Sequence, residues 1–559
     1  MKKNNYIHII KILVVVIIAN IVASFIHYRL DLTQDHRYTL SKASVTIAKS
    51  VKKPIIVDVL LEGTIPAEFN KLKEETKQML EEFSAINSNI KFNFVDPFDD
   101  DTVDKNTIVH HLQSIGLTPA NITVADGSKT SQELVIPWAM AYQDKQTVRV
   151  PLLKNKIGAT TEQRITNSVQ QLEYVFADAF KKLTTINKKK IAVLRGNGEL
   201  DDLHKADFLS TLREHYSIAP FTLDSVTQEP QKTLNELENY DMVLIAKPTK
   251  PFTDAQKYVL DQYTVNGGKS LWLIDQVDAE IDSLYNPTGK TFAIPRDLNL
   301  KDMLFKYGVR INPDLVNDLY FTQIVLANGE GNNAQYNPVP WLYNPMVFSK
   351  NNHPINNNID ALKFEFTSPI DTLKNTLKKT ILLQSSPLSK LDGTPREISL
   401  EMVTQQPKKE EYGTNGGNYP LAVLLEGKFT SAFKNRVKPL KLSGVKDDAE
   451  KASKMIVISD GDLIKNQIRN GRPLELGYDK WTNSFYGNKE FLMNCVNYLL
   501  DDDGLINIRS KKIKISFLDE EKVASQKTTW QAINLLLPTG LLLLFGFGYG
   551  YYRKRKYTS

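Results

Sequence analysis

IAVLRG (191–196), MVLIAKP (242–248) and SLWLID (270–275) decide the fold. Each is a short, nearly unbroken apolar run, the pattern of a strand buried on both faces. Helical stretches at 204–215 and 253–265 and a strand-like run over Ile218–Leu223 separate them. Apolar strands alternating with helices predict a doubly wound parallel sheet. Working outward, MIVISDGD (455–462) reads as another buried strand ending in a turn, LAVLLEGKF (421–429) as a strand and 488–500 as a closing helix. The text from about 285 to 350, including NGEGNNAQYNPVP (328–340), is rich in Asn, Pro and Gly and is expected to be loop, as are 350–358, 405–420 and the polar stretch 443–454.

A second α/β pattern precedes it. PIIVDVLL (54–61) is a β-rich run, 67–86 has helical periodicity through Phe69, Leu72, Met79, Leu80 and Phe83, and IKFNFV (90–95) alternates as a strand. Strand, helix, strand at this spacing predicts a βαβ unit with parallel pairing and resembles a thioredoxin-like fold. Runs at 121–125, 133–136 and 147–151 are expected to continue that sheet, and 161–183 to form a long amphipathic helix. Ser41 is the expected N-cap of a short helix over Lys42–Lys49. Asn187-Lys188-Lys189-Lys190 marks the boundary between the two patterns.

Both ends read as membrane segments. ILVVVIIANIVASFI (12–26) extends an apolar stretch begun at Tyr6, behind Lys2 and Lys3, and no A-x-A cleavage site follows it. INLLLPTGLLLLFGFGYGYY (533–552) spans about 30 Å as a helix and is followed at once by Arg553-Lys554-Arg555-Lys556. Basic flanks stay cytoplasmic, so both termini are expected inside and the bulk of the chain outside the plasma membrane. Asn20 inside the first segment, and Gly546 and Gly550 as G-x-x-x-G in the second, are the candidate helix-packing residues. The expected divisions are a transmembrane helix at 1–28, a juxtamembrane segment at 29–50, α/β domains at 51–185 and 186–515, a juxtamembrane segment at 516–532, a transmembrane helix at 533–552 and a basic tail at 553–559.

Composition and motifs exclude much chemistry. With 70 basic and 64 acidic residues in 559, the net charge of +6 is too diffuse to argue for nucleic acid. The single cysteine, Cys495, sits in an apolar helical run, so no disulfide, cysteine-built zinc site or redox pair is available. Gly268-Lys269-Ser270 ends like a P-loop, but Tyr263 stands where the first glycine is needed. The 8 histidines form no H-E-x-x-H, and G-x-S-x-G is absent. No catalytic residue, cofactor or metal is expected. Two polar turns at strand ends remain as a candidate ligand or partner site: Gly196-Asn197-Gly198-Glu199 and Ser459-Asp460-Gly461-Asp462, with Asn197, Glu199, Asp460 and Asp462 as the polar groups. The plainer reading of each, and the preferred one, is a tight turn that opens or caps the next helix. Asp99, Asp100, Asp101 and Asp104 lack the glycine and glutamate of a calcium loop.

LDLTQDHRYTLS (30–41), NGGKSLWLID (266–275), VISDGDLIKNQ (457–467), YGNKEFLMNCVNYLLDDDGLINIRSKKI (486–513), FLDEEKV (517–523) and RKRKY (553–557) together resemble the GldG family of gliding-motility ABC-transporter auxiliary components. That family often carries Gly-His-Gly-Glu where this chain has Gly196-Asn197-Gly198-Glu199, so the resemblance implies no histidine chemistry there. It implies an outer domain of class I glutamine-amidotransferase-like fold without the catalytic cysteine. The implied partners are an ABC permease subunit and a separate cytoplasmic ATPase, and the outer domain is expected to meet a carbohydrate or another envelope component. Asp31, Thr33, Arg37, Tyr38 and Ser41, in a segment too short to be a slack tether, are the expected coupling residues. The competing reading is an envelope scaffold or carbohydrate-binding protein that works without a transporter.

Overall fold

Alternate residues of the central strands enter two different cores. Ile191, Val193, Met242, Leu244, Leu271, Leu273, Ile456 and Ile458 pack on one face, and Ala192, Leu194, Val243, Ile245, Trp272, Ile274, Met455 and Val457 on the other. This is the period of two of a sheet covered on both sides. The computed structural model describes residues 11, 13–17, 31, 37–63, 65–99, 104–126, 129–154, 156–185, 187–328, 335–413, 416–511 and 520–557. Contacts gather Met1–Lys512 into one compact unit and Ile513–Ser559 into another.

The first unit opens with α1 (Lys42–Ser50), β1 (Ile55–Val59), α2 (Ala67–Ile86), β2 (Ile90–Phe94) and α3 (Lys105–Ser114). β3 (Ala120–Asp126), β4 (Lys129–Val135), β5 (Trp138–Gln143), β6 (Gln146–Pro151) and α4 (Thr161–Thr184) follow. The Ser41 side chain accepts from Ser44 N, capping α1 as expected. Thr160 and Gln163 form a capping box on α4. The sheet runs β2-β1-β5-β6, with β1 and β2 parallel and the other pairs antiparallel. One expectation fails here: the runs at 121–125 and 133–136 do not extend this sheet but pair with each other as β3–β4. The strand beside β1 is β5, WAMAYQ, whose Ala139 and Ala141 are fully buried. Alanine has weak β propensity, so this run gave little signal.

The larger sheet contains β7 (Lys190–Arg195), β8 (Ser217–Thr222), β9 (Met242–Ala246) and β10 (Lys269–Leu273). Helices α5 (Ala206–His215), α6 (Pro230–Leu237) and α7 (Asp254–Val265) alternate with these strands. A β-rich stretch follows, with β11 (Phe321–Asn328) and β12 (Gln335–Val347). Then come β13 (Lys378–Gln384), β14 (Pro420–Gly427), β15 (Ser453–Ile458) and α8 (Asn488–Leu500). The order is β13-β14-β15-β10-β9-β7-β8. Neighbours from β15 to β8 are parallel, while β14 and β13 pair antiparallel at one edge, so the sheet is mixed. Cys495 is buried on α8 in the core.

The loop expectation for 285–350 is corrected. The stretch holds strands Lys290–Pro295, Val309–Ile311, Asp314–Asp318, β11 and β12, and the helix Lys301–Tyr307. Three prolines in β12 hid it, because proline usually marks the end of a strand.

The second unit contains α9, a continuous 38-residue helix over Glu520–Tyr557. The expected juxtamembrane segment is therefore helical from Glu520, and the basic tail continues the same helix. Gln526–Tyr557 is the one helix among the described residues long and apolar enough to cross a membrane. Gly546 and Gly550 lie on it, and a Cβ at either would meet nothing within 4 Å. Of the expected first span, Lys11 and 13–17 are helical. Asn20 and Thr33 lie outside the described residues.

Candidate functional site

The parallel strands end together, and the chain puts charge at each end. β9 is followed by Lys247, β10 by Ile274 and Asp275, and β15 by Ser459, Asp460, Gly461 and Asp462. Lys247 adopts a left-handed φ of 55° and donates its backbone N–H to Leu273 O. A Cβ on Gly461 would lie 2.5 Å from Lys247 Cγ, so only glycine lets the lysine stem pass. The Lys247 ammonium reaches Asp462 Oδ1 at 2.5 Å, Glu280 Oε1 at 2.6 Å and Asp275 Oδ2 at 3.4 Å. Lys465 stands 3.5 Å from Asp462 and 3.7 Å from Glu280.

Asp275, Glu280 and Asp462 come close enough to share a divalent ion. Lys247 already supplies their cation, so the arrangement is a buried ion-pair network that ties three strand-end loops together. Burial works against the Lys247 charge, but Asp462, Asp275 and Glu280 outweigh it and raise its pKa. Burial lifts Asp275 to about 6 against the pull of Lys247. Burial also lifts Asp460 well above its ordinary value, aided by Asp275 and Asp462. Asp462 moves the other way, because Lys247 and Lys465 overcome its burial. Asp460 accepts from Asp462 N and Glu365 N, both at 2.7 Å, so it orders two backbone segments.

Gly196 and Gly198 take φ of +115° and +73°. The turn they allow is locked to the loop after β9: Asn197 O accepts from Thr249 N at 3.0 Å and from Lys250 N at 2.9 Å. Asn197 N donates to Glu199 Oε2 at 2.8 Å, and Asn197 Nδ2 donates to Gln256 Oε1 at 3.1 Å. Burial raises the Glu199 pKa. The two turns read from the sequence thus have different partners and different roles.

Beside the lysine cluster lies a cleft of about 280 Å³, lined in part by Asp462, Lys465, Lys363, Asn344, Tyr285 and Trp481. Lys363 bridges Glu365 at 3.0 Å and Asp479 at 3.2 Å. Sequence reasoning picked out Asp462 but missed Lys247, Asp275, Glu280, Lys465 and the other cleft residues named here. Lys247 and Asp275 carried the same signal as Asp460, a charge closing a buried apolar run.

The expected coupling residues converge elsewhere. Asp31 Oδ2 accepts from Tyr38 N at 3.0 Å and from Thr39 Oγ1 at 2.9 Å. Arg37 lies 3.5 Å from Glu75, to which Tyr38 Oη donates at 3.0 Å. Burial and the Glu75 charge push Tyr38 up to about 12. Glu173 on α4 accepts from Ser41 N at 2.7 Å, Ser44 Oγ at 2.8 Å and Lys511 Nζ at 3.1 Å. Lys511 also donates to Thr39 O at 2.9 Å, and Gln170 Nε2 donates to Lys511 O at 3.0 Å. The stretches that lead toward the two ends of the chain are thereby bonded to each other and to one buried carboxylate.

Residues 34–142 match a family described as a domain of unknown function (DUF7088). An uncharacterized protein of Borreliella burgdorferi is 22% identical over 547 residues, covering 95% of this chain and 94% of the relative. The mmIFT52 N-terminal domain aligns over 56% of this chain and 99% of its own length at 15% identity, with a TM-score of 0.32. Residues 188–495 match the family model of the ABC-type uncharacterized transport system, and with more than half of its length so matched the chain belongs to that family of auxiliary components.

Proposed function

We propose that this chain is the membrane-anchored auxiliary subunit of an ABC transporter of the GldG, gliding-motility type. Its partners are a multi-span permease and a separate cytoplasmic ATPase, and it has no ATPase activity of its own. Both termini lie in the cytoplasm and residues between the two spans lie in the periplasm. The β2-β1-β5-β6 sheet is read as thioredoxin-like and the larger sheet as amidotransferase-like, which the strand orders support.

The observation that carries this reading is the node at Glu173. Along the chain, Ser41 follows the expected first span and Lys511 precedes the segment that leads to α9, and both are bonded to Glu173 of α4. A shift of either end helix would therefore strain the node and pass into the outer region. The test is purification of the tagged full chain in mild detergent, with mass spectrometry of what accompanies it. Permease and ATPase should appear in fixed ratio. Charge reversal by Asp31→Lys or Arg37→Glu should leave assembly intact and abolish gliding; Arg37→Glu, which sets a second carboxylate against buried Glu75, should also lower the thermal melt without unfolding the protein. Recovery of the chain alone, or normal gliding in both variants, would overturn the proposal.

A further inference from the structure

One wall of the cleft at Asn344 is a bare strand edge. Among the described residues, β11 pairs with β12 alone. Gln323, Ile324 and Val325, three consecutive residues of β11, line the cleft. Successive side chains of a strand point to opposite faces, so three in a row line one cavity only where it follows the strand edge.

The prolines of β12 decide which backbone groups face that edge. Val325 stands opposite Pro338 and Gln323 opposite Pro340. Proline has no N–H, so these positions suit pairs that exchange no ladder hydrogen bonds, leaving Ile324–Val339 and Leu326–Asn337 to carry the ladder. The N–H and C=O groups of Gln323 and Val325 then turn away from β12 toward the open side.

A second, independent group is unmet in the same cleft. Asn344 is 1% exposed, and neither Nδ2 nor Oδ1 of its amide has a hydrogen-bond partner. A buried donor and acceptor left unpaired is costly, and a peptide unit offers the complementary pair. Trp481 is 53% exposed and stacks on Tyr336 at 5.3 Å, and Tyr285 is 55% exposed. Lys363 is paired with Glu365 and Asp479, and Lys465 with Asp462 and Glu280, while Lys480 lies over the Trp481 ring and Asp282 adds one carboxylate, so charges of both signs are mixed along the cleft and neither dominates.

We infer that this cleft receives an extended, uncharged polypeptide strand of a partner protein. The strand adds to the edge of β11, pairs one peptide unit with the Asn344 amide and lays side chains against Trp481 and Tyr285. A glycan would meet the rings and the amide, but it does not match backbone groups that repeat every second residue, about 6.8 Å apart. The inference rests on reading the outer region as partner-binding. Its test measures peptide binding directly, so it can fail while transporter assembly stands, and the reverse.

The experiment titrates the full chain in detergent against an array of capped seven-residue peptides built from Ala, Ser, Thr, Val and Asn, read by fluorescence anisotropy. At least one peptide should bind saturably. Val325→Pro, which removes only an outward N–H on an edge strand, should weaken binding about tenfold or more, as should Asn344→Leu. Asn344→Leu should melt no lower than the parent, because it removes an unmet amide. N-methylation along the bound peptide should abolish binding at every second residue only, a readout that holds even if Val325→Pro fails to fold. No binding by any peptide, binding unchanged by Asn344→Leu together with an N-methyl scan lacking period two, or binding of chito-oligosaccharides but no peptide would overturn the inference.

Discussion

Lys247 shows how one residue can organise a strand-end cluster. Its side chain is 5% exposed and its ammonium faces three carboxylates, so Lys247→Met would leave Asp275 with no cation and Asp462 and Glu280 with the more distant Lys465 alone. The expected loss is about 3–5 kcal/mol, the usual cost of removing one partner of a buried pair, read by urea unfolding at pH 7. Asp275 makes the cluster sensitive to pH. Its folded pKa of about 6 lies above the ordinary aspartate value of 3.8, so the folded state holds the proton more tightly. The Asp275 contribution is therefore full below about pH 4 and is lost as pH rises through about 6. Asp275→Asn should flatten that part of the stability profile, and an unchanged slope between pH 4 and 7 would refute the assignment.

At the scale of elements, α4 connects the parts of the first unit. Phe180 meets Phe83 of α2 edge-on at 5.1 Å, Tyr174 Oη accepts from Asn497 of α8 at 3.0 Å, and Glu173 holds the chain-end segments. At its N-terminal side, Lys154 and Arg509 both pair with Glu490 of α8, the latter at 2.6 Å. Burial opposes the Glu490 charge, but Lys154 and Arg509 pull its pKa down to about 2. A depressed carboxylate stabilises above its unfolded pKa and stops doing so as pH falls through the folded one. Glu490→Gln should therefore lose stability at neutral pH and lose little more between pH 4.5 and 2, where the parent weakens steeply; acid titration of near-ultraviolet circular dichroism measures this. Thr160→Ala, which removes the capping box, should cost about 1 kcal/mol without altering that pH profile.

For the whole molecule, the question is whether α9, the helix long and apolar enough to cross a membrane, also binds a partner helix. Nothing in its own unit crowds Gly546 or Gly550. Replacing both by Leu should leave the melt of the first unit unchanged and reduce recovery of the proposed permease partner several-fold in mild detergent. Equal recovery would mean that the small-residue face of α9 makes no partner contact and that assembly is decided elsewhere.

What the sequence determined by itself was the set of elements with strong local patterning. α2, α8 and the β7, β9, β10 and β15 runs stand where periodicity placed them, and Ser41 caps α1 as its chemistry requires. Elements with weak or contrary local signals stayed hidden: β5 for its alanines, α6 for its eight residues, β12 for its prolines. The candidate site divided in the same way. Asp460 and Asp462 were legible as charges closing a buried strand. Lys247 belongs with them only because β9 and β10 are neighbours and β10 lies beside β15. Glu173 meets Ser41 and Lys511 across separations of 132 and 338 residues, and Asn344 shares a cleft with Val325 and Trp481. Local propensity acts over a few residues, whereas pairing of distant charges and the unmet amide of Asn344 exist only once the sheets have stacked. That is why tertiary structure alone decided which polar residues share a site.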